Sequence, residues 1–165
     1  MVGVLIRLAQ PAELTYLQEI EVASGEPFRD LGMPEIADDA PMSLDDLAEH
    51  EVWVAIGAEG VPVAFIAVGD VDGATHVHQV CVHPSHARQG IGAALIEHVT
   101  RGDRPVTLTT FLGVPWNAPY YERLGFQAVT DPSPGLAGII REETSRGLDP
   151  ARRVAMVLLP AQVRA

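Results

Sequence analysis

Between Val80 and Ala93 the chain reads Val-Cys-Val-His-Pro-Ser-His-Ala-Arg-Gln-Gly-Ile-Gly-Ala. An apolar stretch stops at a proline, a polar turn follows, and a glycine pair opens a second apolar segment. That order predicts a strand, a tight turn and a helix whose first N–H groups lack partners within the helix. The helix dipole points its positive end at the same place, and phosphate groups bind there. Gly90 and Gly92 carry no Cβ, so a phosphate can approach the main chain closely. Two nucleotide signatures fail on residue identity. The dinucleotide fingerprint needs a third glycine where Leu95 stands, and the phosphate-loop pattern needs a Gly-Lys-Ser/Thr that the chain lacks.

Other polar side chains cluster around this segment. His76 and His78 precede it at a spacing of two, so a strand there puts both on one face with Val80 and Val82. An imidazole with a pKa near about 6.5 suits proton transfer at neutral pH. His76, His78, His83 and His86 could be imagined around a metal, but no cysteine or carboxylate cluster completes a ligand set, and no metal is expected. Cys81 lies in an apolar strand and reads as a small buried hydrophobe rather than a nucleophile. A second group stands downstream, Trp116-Asn117-Ala118-Pro119-Tyr120-Tyr121-Glu122-Arg123-Leu124-Gly125-Phe126. Trp53 and Trp116 read as packing residues.

The two segments resemble the signatures of the GNAT superfamily, the GCN5-related N-acetyltransferases. Val82-His83-Pro84 and Ala87-Arg88-Gln89-Gly90-Ile91-Gly92 resemble the acyl-CoA motif, with Ala87 where the family carries Gln or Arg. Asn117 with Tyr121, four residues before Gly125, resembles the second signature. The resemblance implies acetyl-CoA as co-substrate, without a metal. It implies that Val80, Cys81, Val82, Ala87, Arg88, Gln89, Gly90, Ile91, Gly92 and Ala93 hold the cofactor. Asn117 would contact the pantetheine arm. Main-chain N–H groups of Cys81 and Val82 would hold the acetyl oxygen and pantetheine. Tyr121, protonated at neutral pH, would return a proton to the leaving sulfur. His78 stands where family members often place a glutamate base, with His76 as the second candidate. Glu26, Phe28 and Arg29 could line the acceptor pocket. The implied reaction is direct attack of a primary amine, from a small molecule or peptide, on acetyl-CoA in a ternary complex. A non-catalytic acyl-CoA binder with the same fold is the alternative, and a nucleotide-binding domain is a third reading. The resemblance also leaves a homodimer open.

The elements that must position these residues follow from periodicity and breakers. Val4–Leu8 predicts a strand. Gln10-Pro11-Ala12 opens a helix with Leu14, Leu17, Ile20 and Val22 as its apolar stripe. The Gly-, Pro- and Asp-rich run 24–41 predicts a long connection. Ser43 caps a short helix through about His50. Glu51–Ala58 and Val61–Val68 predict a hairpin around Glu59-Gly60, Asp70–Gly73 a turn, and Thr75–Val82 the strand entering the motif. A helix over Gly90–Arg101, a strand over Val106–Phe111 and a helix over Asn117–Leu124 stopped by Gly125 come next. Phe126–Val129 starts a strand, Asp131–Asp149 reads as turn-rich and partly irregular, and Arg153–Leu159 closes the sheet. The fold class expected is α/β (α+β): one domain over residues 1–165, with a mostly antiparallel sheet, flanking helices and a parallel crossing through the motif helix.

Composition bounds the partners. A chain of 165 residues fits one domain, and 47% hydrophobic residues can fill its core. A net charge of −11 with only 11 basic residues speaks against a polynucleotide partner. An acidic surface attracts cationic amines and also keeps a protein soluble. No run approaches the roughly 18 apolar residues of a membrane span. Met1-Val2-Gly3-Val4-Leu5-Ile6-Arg7 lacks a basic leader and a cleavage site, and the single cysteine excludes an internal disulfide, so a cytoplasmic protein is expected.

Overall fold

The computed structural model describes residues 4–100 and 102–160. Met1–Gly3, at the start of the N-terminal stretch, and the predicted helix end at Arg101 lie outside the described residues. Among the described residues, seven strands form one mixed sheet: β1 (Leu5–Leu8), β2 (Glu51–Ile56), β3 (Pro62–Val71), β4 (Ala74–Val82), β5 (Val106–Phe111), β6 (Gln127–Ala128) and β7 (Arg153–Leu158). Their order is β1-β2-β3-β4-β5-β7-β6. β4 and β5 run parallel, with Thr75 opposite Val106 and His76 opposite Thr107. The pairs β1–β2, β2–β3, β5–β7 and β6–β7 are antiparallel. The expected α/β class with a mostly antiparallel sheet and one parallel crossing is the fold observed. No helix among the described residues is long and apolar enough to cross a membrane.

The chain divides into two compact units, and β3 and β4 each contribute residues to both. The first unit runs to Val68 and takes up again over His78–Val99. Its helices are α1 (Leu14–Gly25), α2 (Pro34–Ala37), α3 (Leu44–Glu49) and α4 (Ile91–Val99). Leu17 and Ile20 of α1 pack with Leu47 of α3, Val52 and Val54 of β2, Phe65 and Ala67 of β3, and Cys81 of β4. The i, i+3 spacing of Leu17 and Ile20 sets that face of α1. Val22 does not join it: it is 46% exposed, two residues beyond Ile20 and so turned off the stripe. Ser43 caps α3 as predicted, accepting the Asp46 N–H at 3.1 Å. The run 24–41 is not an open connection. α1 persists through Gly25, a 3-10 turn covers Glu26–Leu31, and Pro34 starts α2. Pro at the first turn of each short helix costs no hydrogen bond, because that N–H has no helical partner anyway.

The second unit takes Gly69–Val77 with the residues from Thr100 onward. Its helices are α5 (Ala118–Arg123) and α6 (Pro134–Ser145). The β3–β4 turn is tighter than predicted: only Asp72 (φ +54°) and Gly73 (φ +84°) turn, both left-handed, and β3 runs on to Val71. Such a pair matches the twist of a two-residue hairpin. Arg104 fastens it, donating to the Asp70 carboxylate, to Gly73 O at 3.1 Å and to Ala74 O at 3.3 Å. The segment predicted as irregular, Asp131–Asp149, contains the twelve-residue α6. Gly135, Gly138 and Pro134 read as breakers in sequence, yet Pro134 stands at the first turn where proline is tolerated. Gly135 has a structural use: its N–H donates to Asp72 Oδ2 at 2.6 Å, and a Cβ there would stand 2.7 Å from that oxygen. β6 spans only Gln127–Ala128, and β7 lies between β5 and β6, so β6 rather than β7 is the edge strand.

Candidate active site

In the first unit, β4 ends at Val82, and the His83 N–H donates to Val63 O at 2.9 Å. A 3-10 turn over Pro84–His86 leads to the loop before α4. Arg88 (φ +63°) and Gly90 (φ +78°) are both left-handed there. Left-handed residues of this kind curl successive N–H groups into an anion-binding concavity. α4 then starts at Ile91, and its first closing bond is Ala94 N–H to Gly90 O at 3.0 Å. The N–H groups of Ile91, Gly92 and Ala93 precede that bond and so have no acceptor in the helix's own ladder. Ala87, Arg88 and Gly90 are exposed, and Gln89 is partly so. The predicted turn and helix start therefore exist as backbone, with one feature unseen in the sequence: Arg88 holds a conformation that costs a side-chain-bearing residue about 1 kcal/mol.

Upstream, the β4 residues differ from one another more than their alternation suggests. The Val80 N–H donates to Gln79 Oε1 at 3.1 Å, so that amide is spoken for. Cys81 is buried, as expected; burial first, then nearby Glu21, pushes its thiol far above the ordinary range. His76 and His78 are not equivalent. His76 is 2% exposed and its Nδ1 lies 2.8 Å from Thr107 Oγ1. His78 is exposed, with its ring centroid 4.2 Å from that of His50, whose Nδ1 meets Asp46 O at 2.5 Å. Burial of the ring, and then the neighbouring His50, push the His78 pKa down to about 4 against the pull of Asp46. Solvent at its exposed face screens part of that interaction.

In the second unit, Asn117 precedes α5 and its Oδ1 accepts from Thr110 Oγ1 at 2.5 Å and from Phe111 N at 3.4 Å. The Asn117 side chain thus fixes the end of β5 through its oxygen. Tyr121 is partly buried, its ring edge-on to Tyr120 at 5.3 Å and to Phe126 at 5.6 Å. Its main chain is anchored at both ends, by Tyr121 N to Asn117 O and Phe126 N to Tyr121 O, both 3.0 Å. Gly125 (φ +104°) ends α5 as its spacing predicted. Trp116 is 39% exposed, while the Trp53 ring packs on His98 at 4.3 Å.

The three acceptor-pocket candidates share the 3-10 turn Glu26–Leu31. Phe28 is buried. The Arg29 guanidinium is held by Glu26 at 3.2 Å and by Asp38 at 2.6 Å, and it keeps the Asp38 carboxyl below its usual range. Glu21 is not among the candidates that the sequence singles out. It stands four residues after buried Leu17 on the same face of α1, and a carboxylate on an apolar stripe was the available signal. Among the described residues, no three His, Cys, Asp or Glu side chains stand together as metal ligands.

A strand, a left-handed turn and a helix N-terminus stand in series in a mixed α/β sheet. Residues 48–128 match the family model of the acetyltransferase (GNAT) domain. That match covers just under half of the chain and includes both segments that resemble the GNAT signatures. Among solved structures, its fold is similar to the ribosomal-protein-S18-alanine N-acetyltransferase of Escherichia coli, with TM-score 0.64, 20% identity, and coverage of 96% of this chain and 94% of that one. It is similar to PaiA N-acetyltransferase of Thermoplasma acidophilum in complex with coenzyme A, with TM-score 0.63, 14% identity, and coverage of 96% and 99%. It also resembles N-acetylglutamate synthase of Neisseria gonorrhoeae complexed with coenzyme A and N-acetyl-glutamate, with TM-score 0.71, 16% identity, and coverage of 97% of this chain and 36% of that one.

Proposed function

We propose that this chain, read as one domain over residues 1–165, transfers the acetyl group of acetyl-CoA to a primary amine of a small molecule or peptide. The carrying observation is the pair of left-handed residues, Arg88 and Gly90, leading into the N-terminus of α4. Backbone of that shape fits a diphosphate: it offers several N–H donors, and the dipole favours the charge. Gln89, Gly90, Ile91, Gly92 and Ala93 would supply those donors. Ala87 makes the approach, and Arg88 adds a guanidinium. The complexes of PaiA and of N-acetylglutamate synthase with coenzyme A support this reading.

The chain's own residues then divide the work. With the Val80 amide engaged by Gln79, the N–H groups of Cys81 and Val82 are the ones assigned to the acetyl oxygen and pantetheine, as fixed dipoles. Asn117 uses its oxygen on β5, so its amide N–H donors are the part assigned to pantetheine. Tyr121 returns a proton to sulfur. His78, pushed down to about 4, is neutral but a weak base at pH 7. A pH–rate profile unchanged by His78→Ala removes it from the mechanism. The setting assigned is cytoplasmic, and a homodimer is the assembly the resemblance carries.

Calorimetry with coenzyme A tests the reading. Binding to the wild-type chain, weakened at least about tenfold by Gly90→Val, is expected, because valine cannot hold a left-handed φ without strain. Absence of heat at millimolar coenzyme A overturns it. Coenzyme A binding with no acetylated product from any amine identifies a binder rather than an enzyme.

A further inference from the structure

Glu21 follows buried Ile20 on α1, and its carboxylate reaches β4. Oε1 accepts the Met42 N–H at 3.1 Å, and Oε2 accepts from Gln79 Nε2 at 3.1 Å. Gln79 spends its own oxygen on the Val80 N–H. Cys81, two residues further along the strand, packs against Leu17 and Ile20 of the same helix. A carboxylate therefore rests on the α1 side of β4, level with residues 79–81. That stretch adjoins the Cys81 and Val82 amides assigned to the acetyl oxygen and pantetheine. Both of its donors are neutral, so it is not the half of an ion pair that Glu26 is.

We propose that Glu21 takes the proton from the acceptor amine, and that Gln79 is the positioning residue that aims it. This rests on the acetyl-transfer reading of the same site. Burial is the first cause that raises the Glu21 pKa, and the nearby charge of Asp39 adds to it, against the lowering by Met42 and Gln79. The titratable groups facing it are Asp39, after α2, and Cys81, from β4. A carboxylate moved up toward working pH is a better proton acceptor there than an imidazole moved down to about 4.

The step balances as follows. The ammonium gives one proton to Glu21. The freed lone pair forms the C–N bond at the thioester carbonyl carbon, and the C–S bond breaks. The sulfur gains a proton from Tyr121. The nitrogen loses its second proton to solvent, and Tyr121 regains one from solvent. Glu21 releases its proton to water, which is the single proton the overall reaction produces.

The test is kcat/KM against pH for the full chain with acetyl-CoA and benzylamine, spermidine and a short alanyl peptide. Wild type is expected to show an acid limb. Glu21→Gln abolishes that limb and lowers kcat/KM about 100-fold, and Glu21→Asp keeps the limb at a reduced rate. Gln79→Met removes a donor to the carboxylate and moves the limb to higher pH, which a merely structural role would not do. Carboxyl NMR titration supplies a readout independent of turnover and of whether Glu21→Gln folds, with the Glu21 midpoint expected above the ordinary 4.5. A midpoint at or below that value, or an acid limb that survives Glu21→Gln, overturns the assignment to Glu21 while leaving acetyl transfer standing. Wild type that binds coenzyme A and acetylates none of the amines overturns both.

Discussion

Arg88 holds φ at +63° beside Gly90 at +78°, so one of two left-handed positions in the loop carries a side chain. Replacing Arg88 by glycine separates conformation from charge. Arg88→Gly is expected to raise thermal stability slightly, by up to about 1 kcal/mol, and to weaken coenzyme A binding, because the cationic guanidinium is gone. Calorimetry and a melting curve on the same variant read the two effects. At His78 the sign follows from linkage. Its folded pKa, about 4, lies below the unfolded 6.5. Protonation therefore favours the unfolded chain, so this contribution is fully present above about pH 6.5 and is lost as pH falls toward 4. His78→Gln is expected to flatten the decline in urea midpoint between pH 7 and pH 5. Tyr121→Phe is expected to lower kcat with little change in the coenzyme A Kd, measured by single-turnover kinetics and calorimetry.

At the scale of elements, the parts legible in sequence were those with strong local chemistry. Ser43 announced α3 because a side-chain oxygen there completes a backbone donor. Val106–Phe111 was read to the residue because its apolar run is bounded by Pro105 and the Leu112–Gly113 turn. The turn into α4 was legible because glycine spacing is local too. α6 was not, because its start depends on Asp72, sixty-three positions away in sequence, meeting the Gly135 N–H. Glu21 was missed for the same kind of reason, since its partners are Met42 and Gln79. α6 also lies beyond the span matched by the family model, which ends at residue 128. It brings Glu143 to Arg153 at 3.2 Å, with Thr109 donating to Glu143 Oε2 at 2.6 Å and the guanidinium 4.4 Å over the Phe111 ring. Both charged side chains are only 14% exposed. Removing one of them strands the other, so Glu143→Ala is expected to cost about 3 kcal/mol in a urea titration. The double variant Glu143→Leu with Arg153→Met should recover much of that loss.

For the whole molecule, the net charge of −11 acts at a distance. A spread negative potential draws polyamines inward more than monoamines, and salt screens it over about 10 Å at 0.1 M. The KM for spermidine is therefore expected to rise with ionic strength more steeply than that for benzylamine, in steady-state assays at fixed pH. The 11 basic residues are all arginine, and the sequence contains no lysine. Cys81, its sole thiol, is 5% exposed and hard to ionise. A protein steeped in a reactive acyl donor therefore offers that donor almost nothing of itself to modify: no side-chain amine, and a sulfhydryl sealed from the bulk. Incubated with its own reagent, it should keep an unaltered side-chain mass, and Ellman's dye would register the liberated coenzyme without a background from the catalyst.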